Sequence, residues 1–105
     1  MTEQIAHTGP LWRWASPTAP AAWHFVTIDG TAGAPLSGTA LMRRLEGMSR
    51  GFGSLKVSVT IGESTFKTSV FPSKEQQGWL LPVKASVRKA EGLGEGDAVA
   101  LVLTL

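Results

Sequence analysis

Two lysines, Lys56 and Lys67, stand in the stretch LKVSVTIGESTFKTSV, which alternates apolar and polar residues from Leu55 to Ile61 and again from Ser64 to Val70. Alternation of period two marks strands with one buried face, and Gly62-Glu63 between the runs suits a two-residue type II′ turn with glycine first. That turn sets Leu55 opposite Val70, Val57 opposite Thr68 and Val59 opposite Phe66 on the core side. The other side then carries Thr60 with Thr65, Ser58 with Lys67 and Lys56 with Ser69, so the lysines become diagonal neighbours roughly 7–8 Å apart. Two ammonium groups among hydroxyls can hold an anion. The bland alternative is a solvated outer face whose lysines keep the sheet soluble.

Further residues extend this set. Arg50 in RGFGS stands beside glycines that would let backbone N–H groups approach an anion, although a glycine pair also serves a tight turn. Ser73 and Lys74, in FPSK, complete the candidate anion-binding residues Arg50, Lys56, Lys67, Ser73 and Lys74. Catalytic chemistry has less to stand on. His7 and His24 are the only histidines, no G-x-S-x-G occurs, and neither Ser54 nor Ser73 has a His or Asp tied to it by sequence. Scattered carboxylates and two distant histidines give no metal-ligand spacing. GLGEGD follows a helical segment and precedes a strand, the reverse of a phosphate-cradling glycine turn, so no cofactor is expected.

The 105 residues fit one domain, with 43% hydrophobic and 17% charged residues and enough apolar material to fold without staples. There is no cysteine, which removes disulfides, thiolate nucleophiles and thiolate metal sites together. MTEQIAHTGP lacks the basic and apolar regions of a leader, and no apolar run approaches the ~20 residues that span a bilayer. A cytoplasmic protein without a membrane partner is the expectation. Net charge is +2, but nine basic residues face three acids between Arg43 and Lys89, which suggests a basic face.

The elements that must position these groups read as follows. LWRW (Leu11 to Trp14) and Ala22 to Ile28 are strands rich in aromatic and β-branched residues, with residues 1–8 a flexible N-terminus that includes His7. Leu36, Ala40, Leu41, Leu45 and Met48 recur at helical spacing, predicting a helix over 36–45 that Gly38 weakens. A turn over 72–78 leads to a strand over 79–81 and a helix opened by Pro82, with Val83, Val87 and Ala90 on one side. Gly92-Leu93 has the pattern of a Schellman stop. The last strand, in which Val99, Leu101 and Leu103 alternate with Ala98, Ala100 and Val102, is poor in charge on both faces and should be central or covered on both sides. Trp12, Trp14, Trp23 and Trp79 are expected mostly in the core; one left exposed beside Lys56, Lys67 and Arg50 would make a platform for single-stranded nucleic acid.

RGFGSLKVSVTIGESTFKTSVFPSKEQQGWLLPVKASVRKAEGLGEGDAV, preceded by LWRW and AWHFVTI, closely resembles the small bacterial family known as domain of unknown function nineteen-zero-five. The resemblance implies a mainly β fold: a small double-split β-barrel of six to seven strands with one or two short helices, distantly similar to AbrB and MazE regulators. The phrase LPVKASVRKAEGLGEGDAV carries that second likeness. The family implies no activity. AbrB-type proteins bind DNA as intertwined dimers of shorter chains, whereas this chain is long enough to close a barrel alone.

These readings lead to a non-catalytic binding module for an anionic or small-molecule partner, held at the basic face or the barrel mouth by a monomer or weak homodimer. The alternatives are a nucleic-acid-binding, regulator-like protein using the same face, and an enzyme of unknown reaction.

Overall fold

The structure, a computed structural model, describes residues 4–15, 17–18, 22–45 and 54–105. Six antiparallel strands close into a barrel in the order β1-β2-β5-β4-β3-β6, with two helices. They are β1 (Gln4–Trp14), β2 (Trp23–Asp29), α1 (Gly30–Leu45), β3 (Leu55–Ile61), β4 (Ser64–Ser73), β5 (Gly78–Pro82), α2 (Ala85–Glu91) and β6 (Ala98–Thr104).

The barrel closes because two long strands change partners along their length. β1 pairs with β6 from Gln4 to Pro10 and with β2 from Leu11 to Trp14. β4 likewise pairs with β3 from Ser64 to Val70 and with β5 from Phe71 to Ser73. Each change falls beside a proline, Pro10 and Pro72, where the missing N–H suits a strand leaving its neighbour. This is the double-split barrel, completed by one chain.

The register of the β3–β4 hairpin is the one its alternation and turn demand: Leu55 faces Val70, Val57 faces Thr68 and Val59 faces Phe66. Gly62 has φ 58° and Glu63 no positive φ, as a turn with glycine first requires. Ile5, Leu103, Val59 and Phe66 form one buried layer across four strands, and Leu11, Val26 and Leu81 another across three. Each such side chain contributes roughly 1.5–3 kcal/mol by leaving water. β6 runs between β1 and β3, two neighbours being what every strand of a closed barrel has, and Ala98 and Ala100 on its outer face are exposed rather than covered.

Helix α2 buries Val87, with Val83 buried just ahead of it, while Ala90, expected on the same side, is exposed. It stops at Gly92, in the left-handed region at φ 65° and ψ 37°. The Leu93 N–H donates to the Arg88 carbonyl at 2.8 Å and the Gly92 N–H to that of Lys89 at 3.4 Å, the two bonds of a Schellman stop. The Glu91 carboxylate then ties α2 to the hairpin, accepting from the Ser64 hydroxyl at 2.7 Å.

Several expectations need correction. β1 starts at Gln4 rather than near Leu11, so residues 4–8 are strand, paired with β6. His7 is fixed there, its Nε2–H donating to the Thr27 carbonyl at 2.9 Å. Helix α1 starts at Gly30, ahead of residue 36, and holds Pro35 within it. Its poor formers are overridden by packing: Leu36 is fully buried, and Ser37 accepts a 3.1 Å hydrogen bond from the Trp79 indole. Leu41, expected on its apolar face, is exposed. Among the described residues, no helix is long and apolar enough to cross a membrane.

Candidate functional site

The outer face of the hairpin carries the lysines where the alternation puts them. Lys67 is paired with Ser58 and Lys56 with Ser69, and both lysines are exposed. β6 continues the row, because Thr104 pairs with Ser58 on the other side. Lys56, Lys67, Ser58, Ser69, Thr104 and their neighbours surround a shallow, open depression of about 550 Å³. Among the described residues, no Asp or Glu side chain lines it. Thr60 and Thr65 bond to each other through their hydroxyls at 3.2 Å farther along the same face. Among the described residues, no carboxylate lies within 4.0 Å of either lysine; the one ion-pair contact is between the His7 ring and Asp29.

The other expected members do not gather here. Ser73 ends β4 and Lys74 follows it; both line a separate depression of about 450 Å³ against α1, with Ser37 and Trp79, and Ser73 also lines a groove of aromatic residues. The Ser73 hydroxyl accepts the Gln76 N–H at 3.2 Å and so shapes the turn after β4. Arg50 lies outside the described residues, as do residues 51–53 of its glycine motif.

The tryptophans depart most from expectation. Trp79 is buried, but Trp14 is 48% exposed and Trp23 54%. On the outer face of β1 and β2, Trp12 pairs with Phe25 and Trp14 with Trp23. Trp12 fixes itself by donating its indole N–H to the Thr27 hydroxyl at 2.9 Å. Phe71, 43% exposed, and Leu80 continue the apolar surface across β4 and β5. Together these residues line an apolar groove of about 430 Å³. Alternation in LWRW can be satisfied with either Leu11 or the tryptophans inside. The one signal able to choose is the in-phase set His24, Val26 and Ile28 on β2, whose last two members are fully buried.

A third depression, of about 170 Å³, shares Trp23 with the aromatic groove and Lys67 and Thr68 with the lysine depression. It is lined by Trp23, Phe66, Lys67, Thr68, Pro82, Val83 and Lys84. The Lys84 ammonium stands 5.6 Å from the centre of the Phe66 ring, a cation–π contact that holds it over this gap.

His24, on the strand between Trp23 and Phe25, is half-buried, and its Nδ1 is buried with no hydrogen-bond partner. Burial pushes its pKa below the usual 6.5; the charges of Arg88 and Arg13 push the same way, and Glu95 opposes. The folded state therefore prefers the neutral ring, while the unfolded chain takes up its proton at higher pH. Stability from this group is present above about pH 6.5 and is lost as pH falls from there through the lower folded pKa. Urea midpoints measured from neutral pH downward should decline less in His24→Asn than in wild type; parallel profiles would contradict this.

A family model described as a domain of unknown function (DUF1905) matches residues 7–103. No curated protein matches the chain.

Proposed function

Since the chain belongs to the DUF1905 family, whose description assigns no activity, we propose from its own residues a non-catalytic module that binds an anionic partner on the outer face of the β3–β4 hairpin. The observation that carries this is the diagonal of Lys56 and Lys67 in an open depression ringed by Ser58, Ser69 and Thr104, with no Asp or Glu side chain in its lining among the described residues. An exposed lysine paired with a carboxylate gains little and offers little. Two that share a concave surface without one keep their donors free for a phosphate, sulfate or carboxylate, and the hydroxyls can accept or donate to suit. A cytoplasmic setting fits the cysteine-free sequence.

Titration calorimetry with inorganic tripolyphosphate tests this. Binding is expected at about 50 mM salt and should weaken severalfold at about 200 mM. The double variant Lys56→Glu/Lys67→Glu should abolish it without moving the thermal midpoint, because both side chains are exposed. Undiminished binding by that variant would remove the site from this face.

A further inference from the structure

The strongest unexplained feature is the set of aromatic rings turned to solvent. A large apolar side chain left outside a barrel gains nothing from folding, and clustered exposure marks a contact surface. Trp14, Trp23 and Phe71 share one groove. That groove does not end in isolation. Trp23 belongs both to it and to the small depression holding Lys67 and Lys84, and Lys67 belongs in turn to the depression holding Lys56. The surface is thus one continuous track, flat rings at one end and ammonium groups at the other.

The occupant must match both ends. We propose that the track takes a single-stranded nucleic acid, with bases stacked on Trp23 and Trp14 and the neighbouring phosphates held by Lys67, Lys84 and Lys56. This rests on the anion-binding reading above and names its partner. Trp23 and Phe25 are already near-parallel, 9° apart with ring centroids at 6.2 Å, so a base laid on the exposed side of Trp23 extends an existing stack. Base–aromatic stacking beside a basic groove is how single strands are held without sequence preference.

Other occupants fit only part of the track. A bare polyphosphate has nothing for the rings, and an acidic peptide lacks regularly spaced planes. A second copy seated with its two-fold axis along this track would bring lysines against lysines. A duplex keeps its base faces enclosed within its own stack and cannot offer them to Trp23. Charge also gives the track a direction. Glu75 lines the groove beyond Phe71, while Lys67 lies toward the middle of β4 and Lys84 just past the end of β5, so the phosphates belong at the Lys67 end.

The test is fluorescence anisotropy with a labelled oligothymidylate of about 12 nucleotides, within the usual single-strand site sizes. It is run beside calorimetry with inorganic polyphosphate. Wild type should bind the oligonucleotide with a log–log salt slope of about −2, the value for three neutralised phosphates on a single strand. Trp23→Ala should weaken oligonucleotide binding at least about tenfold and leave polyphosphate binding unchanged, and Trp23→Phe should restore most of the loss. Lys56→Glu/Lys67→Glu should lose both ligands. If Trp23→Ala binds the oligonucleotide as wild type does, the inference is overturned while the anion site stands. It is overturned in the same way if polyglutamate or a duplex of equal length binds as tightly as the single strand. Failure of both polyphosphate and oligonucleotide to bind at low salt would remove both readings together.

Discussion

Leu103→Ala should lower the thermal midpoint of this protein by at least about 10 °C, from a loss of about 2–5 kcal/mol converted at the entropy of a domain this size. Leu103 is fully buried on β6, opposite Ile5 of β1 and Val59 of β3, in the layer that spans the seam where the barrel closes. Truncation removes its transfer free energy and leaves a void that strands held on both sides cannot collapse to fill. Since domains are stable by about 5–15 kcal/mol in all, the loss is a large share of the total. The contrast with Thr104 makes the result diagnostic. Thr104 is the next residue, on the outer face, and Thr104→Ala should change stability by no more than about 0.5 kcal/mol. A register slipped by one residue would exchange the two effects and turn Lys56 and Lys67 inward. Urea unfolding of the two variants measures that difference, and equal losses would overturn the register on which the recognition surface depends.

Gly78→Ala is expected to be nearly as damaging, for a different reason. Gly78 opens β5 opposite Asp29 of β2, and a Cβ at that position would run into the Ile28 carbonyl oxygen and the Asp29 Cα. These are backbone atoms, which cannot swing aside as a side-chain tip can. Relief requires β2 and β5 to part just where β2 passes into α1, and where Trp79 holds Ser37 through its indole. The cost should be about 3 kcal/mol, the upper range for forcing extra volume into a packed site, or a midpoint roughly 10–20 °C lower. Differential scanning calorimetry gives the midpoint. A change under about 2 °C would mean that the strands are not in the close approach described.

The recognition surface has two parts, and they were unequally legible. The lysine diagonal could be read directly, because a period-two pattern and a two-residue turn are local and fix which side chains share a face. The aromatic half could not. Tryptophan is apolar in whichever direction it points, so its presence signals burial without saying against what. Only the burial of Leu11, Val26 and Leu81 as one layer forces Trp12, Trp14, Trp23 and Phe25 to the outside. Ser73 and Lys74 follow the lysine hairpin along the chain but line a different depression against α1, and Ser73 also borders the aromatic groove rather than the lysine face. Sequence proximity to a basic residue is no guide to which end of a strand it occupies.

Locally specified elements were legible in the residues alone: the β3–β4 register, the Gly92 stop of α2, the charge-poor strand β6 and the family likeness. What depends on distant partners emerged only from the folded chain. Residues 4–8 become strand because β6 offers an edge to pair with, although glycine and proline at Gly9-Pro10 are poor strand residues. Helix α1 begins at Gly30 despite glycine and proline, because burying Leu36 outweighs weak propensity. The joining of aromatic groove to lysine face is the clearest case. It exists only because closing the barrel brings the start of β2 beside the middle of β4, two segments whose nearness no local pattern encodes.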